Sequence, residues 1–211
     1  MKTLIWDLDG TLVDSYERIT SVTKEVFAPY KDFSIEEIHN RVIKTSVVDF
    51  FMIESENLDL NVEDLFTHYQ SLTSQIEPRD YKLMEQTKEI LSYYLEHGYK
   101  HYIYTHRGSS TYNILESHDI SDWFEDIVTS EDGFNRKPDP DALNHLITKY
   151  KLDISETYYI GDRLLDVLCG KAAGVGTVYI GDDSTIEADI SIESINDIKQ
   201  YISIWWNNSY I

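Results

Sequence analysis

The sequence predicts an α/β fold, a doubly wound parallel sheet of the Rossmann-like kind carrying a small all-α insertion. Two observations predict it. From about residue 82 onward, short apolar runs suited to strands alternate with segments of helical period, the pattern of a parallel sheet assembled from strand–helix units. Residues 15–80 carry helical periodicity and no convincing strand alternation. The expected organisation is an α/β core made of residues 1–14 and 81–211, with a helical domain inserted at 15–80. A chain of 211 residues is long enough for one domain with a smaller companion.

Taken in order, residues 3–7 (TLIWD) form a first buried strand. Ile19, Val22 and Val26 fall at helical spacing after Ser15. Ser34 and Glu37 form a capping box ahead of Ile38 and Val42. Residues 46–54 make a short helix, and Asn61 caps one carrying Leu65, Phe66, Tyr69, Leu72 and Ile76. A helix over 83–97 stops at Gly98. Strands are expected at 101–105, 125–129, 157–162 and 176–180, with a short edge strand at 188–192. Between them lie helices from about 110 to 118, from Pro140 as first helical residue, and over 164–173 up to Gly174. A terminal helix follows, and Trp205 and Trp206 are expected to dock it or to make an oligomer contact, the chain being a monomer or homodimer.

Composition excludes several function classes. The formal net charge is −20, which disfavours nucleic acid and anionic membrane surfaces as partners, since both require basic patches. No run of about 18 apolar residues is present, so no membrane-spanning helix is expected. Acids stand within seven residues of Met1, too early for a secretory signal. Cys169 is the single cysteine; it is read as a small buried hydrophobe on a helix, and the reducing cytoplasm is the expected location. A small anionic substrate is compatible with this acidity if a local cation offsets the field, and a bound metal would serve.

The chemistry starts from Asp7 and Asp9, two like charges at the end of a buried strand. Such a pair needs a cation or a shared proton. In open α/β sheets the ligand crevice lies at the carboxyl ends of the strands. There the sequence puts Asp7, Asp9 and Thr11 after the first strand, Thr105, His106 and Arg107 after the second, Lys137 after the third, and Asp162, with Asp166 one helical turn on, after the fourth. Asp7 and Asp162 offer hard oxygen ligands suited to Mg2+, which takes one or two carboxylates together with phosphate oxygens. The Thr105 hydroxyl and the Lys137 charge suit a phosphoryl group. Asp7 can then act as nucleophile and Asp9 as a separate acid/base. Arg107 and Arg163 are expected in salt bridges, and Arg18 and Arg41 at the surface.

The order DLDGT, strand-end threonine, RKPDP, GDRLLD resembles the haloacid dehalogenase-like superfamily. The helical insertion directly after the first motif resembles the cap of its phosphoglycolate phosphatase-like and β-phosphoglucomutase-like members. The resemblance implies a small hairpin flap after Thr11, a cap that closes over the site, and hydrolysis of a small phosphorylated metabolite through an aspartyl phosphate. Carried over position by position, it makes Asp7 nucleophile and metal ligand, and Asp9 acid/base with its backbone carbonyl on Mg2+. Thr105, His106 and Lys137 then hold the phosphate, Asp162 is a metal ligand, and Asp166 orients a metal-bound water or Lys137. His106 stands where many relatives carry asparagine. Asp9 argues for phosphoryl transfer, because true haloacid dehalogenases typically lack that second aspartate. The alternatives are a phosphomutase of the β-phosphoglucomutase type and a catalytically idle phosphometabolite-binding protein.

Overall fold

The computed structural model describes residues 2–202. Trp205 and Trp206 lie outside the described residues. The chain divides into two compact units, Met1–Asp14 with Leu83–Ile211, and Ser15–Lys82.

The larger unit is built on a six-stranded parallel sheet. Its strands are β1 (Thr3–Trp6), β4 (Lys100–Tyr104), β5 (Phe124–Val128), β6 (Thr157–Gly161), β7 (Gly176–Ile180) and β8 (Ile190–Ile192), in the spatial order β5-β4-β1-β6-β7-β8. The first strand is thus central, and the chain winds outward from it on one side, then on the other. Leu4, Ile5 and Trp6 are all fully buried, which explains why this strand reads as an unbroken apolar run rather than an alternation. One face packs Ile5, Tyr102, Tyr104 and Tyr159 against Ala142, Leu143 and Leu146 of α7 (Asp141–Tyr150) and Cys169 of α8 (Leu164–Ala173). Cys169 is fully buried, as a small core residue should be.

Two short elements lie where the small flap after Thr11 is expected, though their strands come from distant parts of the chain. β2 (Val13–Asp14) and β3 (Lys82–Leu83) form a separate two-stranded sheet. Ahead of it the chain turns sharply at Leu8–Val13: Leu12 N–H and Val13 N–H both donate to Leu8 C=O at 2.9 Å, and Gly10 sits at φ 82°. Because Met84 N–H bonds Leu12 C=O and Gln86 is left-handed, the helix expected from residue 83 begins only at Thr87 (α5, Thr87–Glu96). Pro140 occupies the N-cap of α7 rather than its first turn. The helix α6 (Ser110–Ser117) follows β4, and residues 198–202 are helical.

The smaller unit is all helical up to its C-terminal edge: α1 (Tyr16–Phe27), α2 (Ile35–Lys44), α3 (Val47–Asn57) and α4 (Val62–Thr73). Ser34 Oγ accepts from Glu37 N–H at 3.0 Å, and Asn61 Oδ1 from Glu63 and Asp64 N–H at 2.8 and 3.2 Å, so both capping signals operate as the sequence indicated. Its core centres on Phe27, which meets Phe33, Phe50 and Phe51 edge-on with centroids 5.1–5.7 Å apart, the arrangement aromatic quadrupoles favour. Arg41, expected at the surface, donates to the buried Glu54 at 2.8 Å, and Lys31 joins at 3.3 Å. Burial alone would raise the Glu54 pKa, but the two cations hold it below the ordinary glutamate range.

In the larger unit His101 is fully buried on β4. Its Nδ1 accepts from Trp6 Nε1–H at 2.9 Å and its Nε2 bonds Leu91 C=O at 3.0 Å, which fixes a neutral tautomer. Burial lowers its pKa to about 4, against a weaker opposing effect of the Leu91 carbonyl. The unfolded chain therefore binds a proton that the native state refuses. Its stabilising contribution is complete above the ordinary histidine pKa and is lost as pH falls from there towards 4. We expect this group to remove roughly 2 kcal/mol of stability between pH 7 and pH 5. Denaturant unfolding at both pH values should show His101→Gln less stable at pH 7 but with a shallower decline on acidification.

Candidate active site

Strand register gathers the chemistry-bearing residues. Trp6 lies beside Ile103 on one flank and Ile160 on the other, and Asp7 N–H continues the ladder to Ile160 C=O at 2.8 Å. Asp7, Thr105 and Asp162 therefore leave three adjacent strands within one residue of the same level. β1 and β6 are also where the winding direction reverses, the position at which open α/β sheets bind ligands.

Lys137 is the centre of the site. Its Nζ, wholly buried, donates to Asp7 Oδ1 and Asp166 Oδ1, both at 2.7 Å. The rings of Tyr104 and Tyr159 flank it at 4.9 and 5.3 Å, adding the attraction of a cation for aromatic faces. Burial would lower the Lys137 pKa, yet Asp166 and Asp7 raise it above the ordinary lysine value, so the ammonium is charged. Asp166 is pushed up by burial but pulled below the usual carboxylate range by Lys137 and Arg163. Its Oδ1 also accepts from Tyr159 O–H at 3.1 Å, and its Oδ2 from Arg163 N–H at 3.1 Å. With both oxygens engaged, Asp166 orients Lys137.

Asp7 is left differently. Burial lifts its pKa to about 6 despite the Lys137 charge. Its Oδ2 is buried without a hydrogen-bond partner, a costly state for a carboxylate oxygen. One oxygen of each of Asp7, Asp162 and Asp166 lie within 4.8 Å of one another. An orphaned oxygen beside a second, half-buried carboxylate is a donor set that fits a hard divalent cation. Asp162 is not the cap of α8; Arg163 holds the N-cap position, and Asp162 Oδ1 instead accepts from Thr11 Oγ1 at 3.3 Å.

Other expected site residues take specific positions. Thr105 is buried, and its Oγ1 accepts from Arg107 N–H at 3.1 Å. The His106 ring braces the lysine loop: Nε2 accepts from Lys137 N–H at 2.9 Å and Nδ1 faces Arg136 Nη2 at 3.1 Å. Burial, then Lys137 and Arg136, depress its pKa to about 2, so the ring is neutral and engaged with protein groups. Asp9 is clamped by Arg107, whose Nε lies 3.1 Å from both carboxylate oxygens and whose Nη2 is 2.6 Å from Oδ1. The salt bridge expected of Arg107 is present, with Asp9 as a partner the sequence does not name; Tyr104 and Tyr159 read in the sequence as packing residues, and a cage contributed by two separate strands has no linear signature.

The sheet reverses between β1 and β6, with an acid pair after its first strand and a buried lysine bridging two carboxylates, the frame of a Rossmann-like hydrolase core. A family model for haloacid dehalogenase-like hydrolases matches residues 4–180, and the chain belongs to that family. It is 28% identical over 183 residues to the pyrophosphatase PpaX of Bacillus pumilus, covering 85% of this chain and 83% of the relative. It is 27% identical over 225 residues to the phosphoglycolate phosphatase of Vibrio parahaemolyticus, covering 97% of each. Among solved structures, a haloacid dehalogenase-like protein from Agrobacterium tumefaciens shares the fold with a TM-score of 0.82 at 18% identity, covering 98% of this chain and 99% of that one.

Gly161 is required by this packing. A Cβ there would run into Cβ and Cγ of Asp166, the side chain that orients Lys137. Gly161→Ala should cost about 1–3 kcal/mol through overpacking. Thermal unfolding reads the loss, and the Lys137 Nζ resonance in NMR should shift as Asp166 is displaced.

Proposed function

We propose that this protein is a Mg2+-dependent phosphatase that hydrolyses a small phosphomonoester through an aspartyl phosphate on Asp7. The observation that carries the reading is the orphaned Asp7 Oδ2, held at the crevice while Lys137 occupies Oδ1. Family membership supports it, as do the names of the two relatives above, both of them phosphate-ester or phosphoanhydride hydrolases. Asp7, Asp162 and the Asp9 backbone carbonyl would hold the ion, which supplies positive charge next to the phosphoryl oxygens and keeps Asp7 ionised.

A carboxylate oxygen of Asp7 attacks phosphorus in line with the leaving oxygen. The ester P–O bond breaks, and its electron pair leaves on an alkoxide that takes the proton of Asp9. Lys137 and Thr105 sit to offset charge on the equatorial oxygens. Asp9, then a carboxylate, removes a proton from water. The water oxygen attacks the aspartyl phosphate, the bond to Asp7 breaks, and orthophosphate leaves. Residues 15–80 are assigned the role of a cap that governs which ester is accepted. A reducing, cytoplasmic setting belongs to the same reading, since a single cysteine forms no intrachain disulfide.

Phosphate release from a panel of small phosphorylated metabolites should vanish in chelator and return with Mg2+; full turnover in chelator would refute the metal assignment. Asp7→Asn should abolish turnover. Asp9→Asn should lose proton transfer, a step typically worth about 10²–10⁴-fold. With p-nitrophenyl phosphate, whose leaving group needs no proton, rapid mixing should show a burst of p-nitrophenolate followed by a slow steady state. Equal loss on alkyl and nitrophenyl esters with no burst counts against the division of labour between the two acids.

A further inference from the structure

We propose that Arg107 recognises a second oxyanion on the substrate, and that its bond to Asp9 is the one such a substrate replaces. The inference rests on the phosphatase reading above and deepens it by naming a substrate class, a small phosphate ester or anhydride that bears a carboxylate or a second phosphoryl group.

Arg107 is presented from a fixed base. Its backbone N–H donates to Thr105 Oγ1 at 3.1 Å, and its carbonyl accepts from Ser130 N–H at 3.1 Å. The next turn is tied down by Glu131 Oε1, which accepts from Ser109 N–H at 2.9 Å and Ser109 Oγ–H at 3.1 Å. The guanidinium therefore stands two residues from the strand-end threonine assigned to phosphate, and its fork already holds a carboxylate across both oxygens. That planar geometry suits a carboxylate or phosphoryl group equally well.

Two neighbouring cations are less available. The Lys137 side chain is wholly buried between two carboxylates, and Arg163 is buried. The Arg107 and Asp9 side chains are 12% and 22% exposed, so a ligand reaches the clamp from solvent. In a protein of net charge −20, a second anion near the crevice needs such a cation. Exchange of the Asp9 carboxylate for a substrate oxyanion leaves the Arg107 ion count unchanged. It also frees Asp9 to turn towards the leaving oxygen. Esters without the second anion open the clamp less readily and are turned over more slowly. Selection of the substrate and release of the acid/base are then one event.

The test compares 2-phosphoglycolate and inorganic pyrophosphate with ethyl phosphate, which has no second anion, in wild type, Arg107→Gln and Arg107→Lys. Wild type should favour at least one of the first two by kcat/KM, and the favoured one tells carboxylate from phosphoryl. Arg107→Gln should shrink that preference about 10–100-fold, chiefly through KM, with Arg107→Lys intermediate. Calorimetry in an Asp7→Asn background gives affinities without turnover, and 2-phosphoglycolate or pyrophosphate should bind more weakly by a similar factor once Arg107 is Gln. An unchanged preference, or equal losses on all esters, overturns the proposal. Should wild type hydrolyse none of the three, the phosphatase reading falls separately. The calorimetry then still decides: affinities that do not depend on Arg107 overturn the role given to it.

Discussion

The buried ammonium of Lys137 is the interaction on which the site depends. Two carboxylates, Asp7 and Asp166, converge on it at 2.7 Å from opposite elements, one at the end of β1 and one in the first turn of α8. Without the cation these like charges would face each other in a dry interior, and one would have to take a proton. With it, each carboxylate is fixed by a strong hydrogen bond, and each keeps a second oxygen for another task. Asp166 spends its second oxygen on the backbone of Arg163. Asp7 keeps its own without a hydrogen-bond partner. Removing one member of such a group is far more damaging than its net stabilisation suggests, because what remains is an uncompensated buried charge.

The same cluster joins separate parts of the chain. Tyr159 O–H bonds both Asp166 and the Tyr104 carbonyl, at 3.1 and 3.2 Å, so β4, β6 and α8 are tied at one point. His106 reaches from β4 to the backbone of the lysine itself. The lysine loop is therefore held by its side chain and its main chain independently. Lost freedom of this kind is what a reacting group needs, since geometry fixed before the substrate arrives costs nothing during reaction.

Much of this was legible beforehand, for identifiable reasons. Strand–helix alternation with glycine stops located five of the six core strands to within a residue at most of their ends, and the continuous apolar run of β1 marked it as internal. Asp7, Thr105, Lys137 and Asp162 could be named because each follows a strand, and in a parallel sheet all such ends share one edge. What escaped depended on side-chain direction. Asp9 lies two residues from Asp7, yet it pairs with Arg107, and nothing in its local spacing encodes that partner 98 residues away. His106 was assigned to phosphate by position, whereas its ring is engaged with the loop behind Lys137. β2 and β3 were too short to register as periodic segments, and the Met84–Leu12 bond that delays α5 is likewise non-local.

The central position of β1 also sets the order in which the protein can fold. This strand precedes its partners in the chain, and it pairs with β4 only after the whole helical unit has intervened: Thr3 aligns with Lys100 on one side and Thr157 on the other. Both pairings close very long loops before any ladder bond is gained, which slows nucleation of the sheet. The helical unit suffers no such delay, since Phe27, Phe33, Phe50 and Phe51 meet within one short stretch. On a ribosome it can condense while the leading strand is still unpaired. The strand ends around Asp7 come together only when β6 emerges and occupies the second flank of β1.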